Sequence, residues 1–410
     1  MAFPPSQTLS LMSRQRWLLL GGLYLSQYVG QAFLLISLIA IARKSGFPLE
    51  KLGLVYITAL CWIFKFLWSP LIDKFRPMGG RYKGWLLITQ SGMGLSLFIL
   101  SFMAMPYDFY LIVVVGTIHS FFSASQDVVS DGLSRTLLAP SERAVGVSVQ
   151  AIFGLLGNVI GGGVVLALYP YLGWAGCCHV LLAVVGICFV QCLFFQEPLT
   201  RVDNSRVSFL RLVQFWRTDH NLTWALILTV YASGVGLAWG TLPTLLTELK
   251  WSYGEIGFTI NVSGSIVAML GAALSGLILK KIGRAAMFKL MFWAPIFGFS
   301  FISIILSTTG SGALVFLIPQ LFFLIISPAL VLIPTMIMDR SSALTPSTDY
   351  TAQFCLLTVS QYLAASFGTA FGHVIGFSSI FIIGAAIEIL AFLFGLNRVS
   401  KGVIILNPKN

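Results

Sequence analysis

The sequence predicts an all-α integral membrane protein with twelve transmembrane helices in two bundles of six and both termini in the cytoplasm. Of its 410 residues, 57% are hydrophobic and 10% are charged, whereas soluble domains are usually about a quarter charged. Apolar runs of about 20 residues, each long enough to cross a hydrocarbon core of roughly 30 Å, recur along the chain. We predict helices because in lipid every backbone polar group needs a partner within its own segment.

Twelve such runs are each predicted to form one membrane span. In chain order they cover residues 17–41, 51–72, 84–104, 109–130, 143–169, 174–195, 223–246, 254–279, 287–308, 312–336, 350–374 and 375–397. The first run lacks a small-residue cleavage site and is too long for the apolar region of a signal peptide, so we expect it to be retained.

The distribution of charge indicates the orientation of these spans. Most lysines and arginines fall in segments that lie in the cytoplasm if both termini do. This asymmetry accounts for the net charge of +11, and we expect a lipid bilayer but no nucleic acid as a partner. The six cysteines have neither metal-ligand nor disulfide spacing, so we predict no metal site.

The second span contains the stretch KFLWSPLIDKF, which begins with Lys65 after an otherwise uncharged run. Pro70 removes one helical hydrogen bond and is predicted to end or kink the span. Lys65 shares a stripe with Ser69 and Asp73 at steps of four, about two turns from the predicted inner surface. Two interpretations stay open: the ammonium reaches back to the headgroups, or it faces the interior and pairs with a carboxylate or an anionic substrate.

The fourth span offers that carboxylate. One polar stripe at steps of four runs along it: His119, Ser123, Asp127 and Asp131. A carboxylate within the hydrocarbon or at its inner edge has to be paired, hydrated or protonated. We therefore predict Asp127 as a proton site with Lys65 as its partner, and Asp131 as a further candidate. A structural ion pair between the second and fourth spans is the alternative.

Other polar residues within the spans are candidates for a substrate cavity. They are Gln27, Gln31, His119, Ser123, Gln126, Gln150, Asn158, Tyr231, Trp239, Gln353 and Gln361. For each of them a hydrogen bond between helices is the alternative role. Glu388 stands alone in the twelfth span without an evident partner, so we rank it below Asp127.

The longest polar stretch divides the chain into two halves of six spans. We predict an N-terminal bundle over residues 1–197, a cytoplasmic linker over 198–222 and a C-terminal bundle over 223–410. The halves echo each other in the segments LLAPSERAVG and ALTPSTDYTA, whose prolines, Pro140 and Pro346, are 206 positions apart.

The loop after the second span of the C-terminal half, GLILKKIGRAAMF, is similar to the Gly-x-x-x-Asp-Arg-x-Gly-Arg loop of the major facilitator superfamily. Lys280 stands in place of the acid. This resemblance implies a 6+6 major facilitator fold, a substrate site near the midplane between the halves, and inner loops that latch helices during alternating access. We expect Asp73 to be the latch acid. The inner gate is predicted to contain Asp73, Lys74, Arg81, Asp131, Glu142 and Arg143.

Two stretches resemble the muropeptide permease family more narrowly. They are KFLWSPLIDK with the following GWLL, and SQDVVSDG from Ser125. Lys74 replaces the arginine of the Asp-Arg pair in that family. The resemblance covers residues 65–174 and is faint in the second half.

Within that family, three features resemble the siderophore-uptake branch, the rhizobactin and pyochelin permeases. They are the segment DGLS that begins at Asp131, Gln150 and the three glycines at 161–163. Muropeptide permeases usually carry more than twelve spans, which also favours this branch. We therefore expect a monomeric permease of the bacterial inner membrane that imports an iron-loaded siderophore by proton symport. The proton gradient would supply the energy, and no cofactor is expected.

Two other functions stay open. A muropeptide or another amphiphilic metabolite is the alternative substrate. An integral-membrane enzyme is disfavoured because the four histidines are dispersed, with none in a nucleophile or metal-binding pattern.

Overall fold

The computed structural model describes residues 5–198, 207–308 and 313–400, and within these ranges the regular structure is helical, with no β-strand. The α-helices are α1 Pro5–Ala32, α2 Leu38–Lys44, α3 Leu49–Leu52, α4 Ile57–Phe64, α5 Ser69–Lys74, α6 Lys83–Leu100, α7 Phe109–Leu137, α8 Arg143–Asn158, α9 Val165–Phe194, α10 Arg211–Gln214, α11 Asp219–Glu248, α12 Tyr253–Gly257, α13 Gly264–Thr308, α14 Leu317–Arg340, α15 Pro346–Ile375 and α16 Phe377–Ser400.

Within the described residues, three π-helical turns join neighbouring helices without ending them. Phe33–Ser37 connects α1 to α2, Val159–Val164 connects α8 to α9, and Phe258–Ser263 connects α12 to α13. Such turns are rare and occur frequently at functional sites. Apolar periodicity does not reveal them, because they leave the hydrophobic run intact.

The second predicted span is divided into short helices. After α4 the chain forms a 3-10 turn over Lys65–Leu67, with Phe64 before it at φ −93° and ψ 3° and Trp68 after it at φ −109° and ψ 0°. Pro70 lies in the first turn of α5, where its missing N–H needs no partner. The break therefore begins at the lysine, ahead of the proline on which the predicted kink was based.

Glycines with positive φ interrupt two long helices. Gly173 in α9 has φ 64° and Gly283 in α13 has φ 79°, and glycine adopts such values without the steric cost that a Cβ imposes. Each break lies between two predicted spans.

Eight helical segments in the described residues are long and apolar enough to cross a membrane. Two of them, Arg143–Phe194 and Gly254–Thr308, each contain two predicted spans. The chain is thus a multi-pass membrane protein, while the count of twelve and the orientation of the termini stay predictions.

The chain forms two compact units. Unit 1 comprises Met1–Leu138, Val149–Val207 and Ser342–Thr348. Unit 2 comprises Ala139–Ser148, Ser208–Ser341 and Asp349–Asn410. Each unit therefore includes one short segment from the opposite half of the sequence. These segments overlap the two that echo each other 206 positions apart. The predicted domain boundaries, which are continuous in sequence, stay a prediction.

A close approach of backbones fastens the first helix of unit 1. A Cβ added to Gly161 would lie 2.0 Å from the carbonyl oxygen of Val29. Ser37 Oγ donates to Gly161 O at 2.7 Å. Val29 and Phe33 belong to the buried apolar cluster of this unit. Glycine at position 161 is therefore needed for the helices to meet.

We predict that Gly161→Ala lowers the thermal unfolding midpoint of the detergent-purified protein, because overpacking against backbone costs about 1–3 kcal/mol. Gly186→Ala is the matched control, since a Cβ there meets no atom within 4 Å, and alanine is the better helix former. Equal midpoints for the two variants in a thermal unfolding assay would contradict this packing.

Candidate functional site

A buried ion pair lies at the centre of the polar residues in unit 1. Lys65 Nζ donates to Asp127 Oδ2, and Gln27 Nε2 donates to Asp127 Oδ1 at 2.6 Å. Lys65 is 1% exposed and Asp127 is 3% exposed. The carboxylate thus has a separate donor on each oxygen, one from the broken second span and one from α1.

The local structure explains how the lysine reaches α7. The 3-10 turn over Lys65–Leu67 begins at this residue, and the break in the helix sets the direction of the side chain. Trp68 Nε1 donates to Ser125 Oγ at 3.0 Å, which fastens the same turn to α7. Removing two charges from water is costly unless they are paired and hydrogen-bonded, and the turn and α7 together meet that requirement.

Aromatic rings flank the ion pair. Lys65 Nζ lies 5.1 Å from the ring centroid of Trp62, within the range of a cation–π interaction. The rings of Trp62 and Tyr28 are 5.1 Å apart, and Tyr24 stacks on Tyr28 at 6.3 Å. The Tyr24 hydroxyl donates to Asp131 Oδ1. Asp131, one helical turn after Asp127, therefore belongs to the same polar region.

Two polar atoms beside the pair have no protein partner. Within the described residues, Trp62 Nε1 and Gln27 Oε1 are buried without a hydrogen bond. Buried polar groups are normally satisfied, so one free donor and one free acceptor next to a lysine are what a polar ligand would use.

Several predicted cavity residues instead join α1 to α7. Gln126 Nε2 donates to Ser26 Oγ at 3.0 Å, and Ser123 Oγ donates to the Gln27 carbonyl at 2.8 Å. Gln31 Oε1 accepts from Ser120 Oγ at 2.7 Å. Their contacts are those of hydrogen bonds between helices.

His119, Gln150 and Asn158 lie elsewhere in unit 1. His119 Nδ1 is 3.3 Å from Met93 O, while its Nε2 has no partner in the described part of the chain. Gln150 Nε2 donates to Ser134 Oγ and joins α8 to α7. Asn158 is half-buried and is the last residue before a π-helical turn.

The remaining cavity candidates belong to unit 2. Gln353 Oε1 accepts from Trp224 Nε1 at 2.8 Å, and Trp239 packs 5.7 Å and 5.6 Å from the rings of Phe322 and Phe323. These two residues bind helices together. Gln361 is half-buried on α15, and Tyr231 is buried on α11.

Asp73 caps the first turn of α15. Its Oδ2 accepts from Thr348 N at 2.8 Å and from Thr348 Oγ1 at 2.7 Å, and its Oδ1 accepts from Ser347 N at 3.3 Å. The first N–H groups of a helix lack partners within that helix and attract negative charge. Asp73, from the first half of the sequence, thus caps the N-terminus of α15, whose first residues come from the second half and belong to unit 1.

Arg81 completes this contact. Its guanidinium donates to Leu344 O at 2.7 Å, to Ala343 O at 3.2 Å and to Asp73 Oδ1 at 3.4 Å. Burial raises the pKa of Asp73 to about 6, although its hydrogen bonds with Thr348 and the charge of Arg81 oppose the shift. Lys74 is not in the contact; its ammonium lies 5.8 Å from the ring of Phe75.

Unit 2 contains a second group of ion pairs, formed around a different acid. Arg143 donates to Asp339 Oδ1 at 2.5 Å, and Arg284 Nε donates to Asp339 Oδ2 at 2.6 Å. Arg284 also donates to Pro140 O at 3.0 Å. Arg143 thus has Asp339 as its carboxylate partner. Glu142, the other gate candidate, accepts from the backbone N–H of residue 139 at 3.1 Å and shapes the loop itself.

Sequence reasoning missed Asp339, Arg284, Tyr24 and Trp62. Trp62 precedes Lys65 by three positions, and Tyr24 precedes Gln27 by three, a spacing that places each pair on one helix face. That spacing was the available signal. No comparable pattern ties Asp339 to a basic residue, because its partners are 196 and 55 positions away.

Comparison with known proteins identifies the superfamily. The family model described as Major Facilitator Superfamily matches residues 20–369. The chain is 27% identical over 241 residues to the anhydromuropeptide permease of Escherichia coli K12, an alignment that covers 57% of this chain and 49% of that protein. The chain therefore spans about half the length of the curated relative that it matches.

Solved structures resemble the whole chain in fold. The human organic anion transporter MFSD10 has a TM-score of 0.72 at 14% identity, covering 96% of this chain and 100% of that one. FucP of E. coli has a TM-score of 0.68 at 13% identity, covering 93% and 98%. At such low identity the likeness concerns the fold alone.

We predict that Asp127→Asn and Lys65→Met each destabilise the purified protein by about 3–5 kcal/mol, because each removes one partner of a buried pair. The double variant should be destabilised by less than the sum of the two, since it leaves no uncompensated charge. Chemical or thermal unfolding of the four proteins measures the coupling. Additive effects would show that the two side chains do not interact.

The raised pKa of Asp73 predicts a pH dependence of stability. The pKa of an aspartate in the unfolded chain is about 3.9, and the pKa of Asp73 in the folded protein is about 6. The folded state therefore binds the proton more tightly. The contribution of Asp73 to stability should be full below about pH 4 and lost as the pH rises through about 6. Thermal midpoints measured from pH 4 to 7 should show a shallower decline in Asp73→Asn than in the wild type. Parallel profiles would contradict the shift.

Proposed function

Because the chain belongs to the Major Facilitator Superfamily and is a transporter rather than an enzyme, we propose that it imports a muropeptide across the bacterial inner membrane by proton-coupled alternating access. The observation that carries this proposal is the similarity to the E. coli anhydromuropeptide permease over 241 residues. The substrate, the direction of transport, the proton coupling, the membrane and a monomeric state are all parts of the proposal.

The siderophore predicted from the sequence receives no support from these comparisons, which favour the alternative substrate. The argument from span number is also weak, because the count of twelve is itself a prediction. A ferric siderophore is therefore the alternative substrate to test beside the muropeptide.

The residues around the ion pair suit a sugar that carries a short peptide. The flat rings of Trp62 and Tyr28 can pack against the C–H face of a sugar ring. Trp62 Nε1 and Gln27 Oε1, which lack partners in the described residues, can bond to hydroxyl or amide groups. Lys65 can bind a carboxylate of the peptide.

The same residues suggest how a proton and the substrate could be coupled. When a substrate carboxylate binds the Lys65 ammonium, Asp127 loses its counter-charge in a buried setting and takes up a proton from water. When the substrate leaves, Lys65 pairs again with Asp127, and the proton returns to water on the other side. Each state then keeps the buried charges balanced, which is the condition for carrying them through a low-dielectric site.

Transport can be measured as uptake of labelled substrate into sealed, energised inner-membrane vesicles that contain the expressed protein. We expect them to accumulate a labelled anhydromuropeptide, a protonophore to abolish the accumulation, and Lys65→Met to reduce it at least tenfold. Lys74→Met is the matched control, because that ammonium lies outside the site, and it should retain uptake.

Two outcomes decide between the substrates, and a third tests the proton coupling. Accumulation of the muropeptide alone supports the proposal. Accumulation of a ferric siderophore alone replaces the substrate while keeping the transporter. Uptake of the muropeptide that is unaffected by the protonophore would overturn the proton coupling.

A further inference from the structure

A further buried carboxyl group of unit 2 lies on α16. Glu388 on α16 is 0% exposed. Within the residues that the structure describes, neither of its carboxyl oxygens has a hydrogen-bond partner. Asp127, Asp73, Asp339 and Asp349, by contrast, each have a lysine or an arginine beside them.

Two glycines make room for this carboxyl where α11 crosses α16. A Cβ added to Gly234 of α11 would lie 2.5 Å from Glu388 Oε1 and 3.1 Å from Gly384 O. A Cβ added to Gly384 would lie 3.2 Å from Gly234 O. The carboxyl therefore fills the space that the glycine of the neighbouring helix leaves.

The other side of the site is aromatic. Phe299 of α13 would lie 3.3 Å from a Cβ at position 384. Phe292 of α13 is 5.8 Å from Phe392, one turn after Glu388, and 5.7 Å from Tyr231 of α11. These rings offer no hydrogen-bond donor, so α13 gives the carboxyl an apolar wall.

Tyr231 precedes Gly234 by three positions on α11, so it lies on the helix face that meets Glu388 Oε1. It is buried, and its hydroxyl has no hydrogen-bond partner among the described residues. Among the described residues, no lysine, arginine or histidine forms an ion pair with Glu388. Within the described residues, neither α11 nor α13 donates a hydrogen bond to this carboxyl.

These neighbours favour the neutral form of the carboxyl. An ionised carboxylate in an apolar setting without a cation or several donors is strongly disfavoured, and such a group keeps its proton instead. Ionisable residues within membrane spans are costly and usually functional. A glutamate with an unpartnered tyrosine beside it is more than a packing element requires, because a leucine would fill the same space without a polar cost.

We propose that Glu388 and Tyr231 form a proton-binding site of unit 2, separate from Asp127, in which Glu388 carries a proton in this structure and exchanges it with water. On release the proton passes from the carboxyl oxygen to a water molecule, and the resulting carboxylate accepts a hydrogen bond from the Tyr231 hydroxyl. The site takes a proton as its ligand and is independent of the substrate proposed above. It would give the transporter a second group that responds to pH.

The test is infrared spectroscopy of the purified protein, which needs no transport assay. At neutral pH we expect the C=O stretch of a protonated carboxylic acid, and this band should be lost in Glu388→Gln. Glu197→Gln is the control, because Glu197 accepts from the backbone N–H groups of Tyr82 and Lys83, and it should leave the band unchanged. Size exclusion and thermal unfolding verify that each variant is folded.

A titration then separates exchange from permanent protonation. With rising pH the Glu388 band should disappear in the wild type, and in Tyr231→Phe it should persist to a higher pH, because the carboxylate has lost its donor. A wild-type spectrum unchanged by Glu388→Gln would overturn the proposal by showing that the group is ionised. A band that does not titrate, or that titrates identically in Tyr231→Phe, would overturn it as well. None of these outcomes depends on whether the muropeptide is transported.

Discussion

The constraint on which unit 1 depends is the cost of placing a lysine and an aspartate inside an apolar bundle. Lys65 and Asp127 are both buried, and neither charge is tolerable there without the other. The 3-10 turn at Lys65, the amide of Gln27 and the polar face of α7 all lie around this pair. The second span departs from regular helix at the residue that makes the pair.

Buried charges and helix ends also need partners in the two segments that belong to the unit of the opposite half, Ala139–Ser148 and Ser342–Thr348. In unit 1 the carboxylate of Asp73 accepts the first N–H groups of α15. In unit 2 Asp339 holds two arginines, one of which also bonds to a loop carbonyl. The second half has Lys280 in place of the acid, and there a carboxylate from α14 binds Arg143 and Arg284. Similar loops thus reach similar ends with acids from different places in the sequence.

Much of this could be predicted from composition and periodicity, because a hydrocarbon solvent leaves few choices for the backbone. Apolar length indicated a multi-pass helical protein, and steps of four in α7 placed Asp127 and Asp131 on one face. The π-helical turns and the break at Lys65 could not be predicted, since they depend on how neighbouring helices pack. Asp339 escaped for a related reason: its partners are distant in sequence. The substrate was also beyond reach, because the fold accommodates many, and a resemblance among sibling families does not carry a specificity code.

The central claim is that Asp127 couples a proton to the substrate through its contact with Lys65. The most direct measurement compares two assays in vesicles that contain Asp127→Asn. The exchange assay follows entry of labelled substrate into vesicles loaded with unlabelled substrate, without a proton gradient. The accumulation assay follows entry of labelled substrate driven by a proton gradient. If Asp127 is the coupling group, the folded fraction of this destabilised variant, measured in the same vesicles, still exchanges substrate while accumulation against a gradient is lost. Full accumulation by the variant would contradict the claim and leave the buried pair with a structural role.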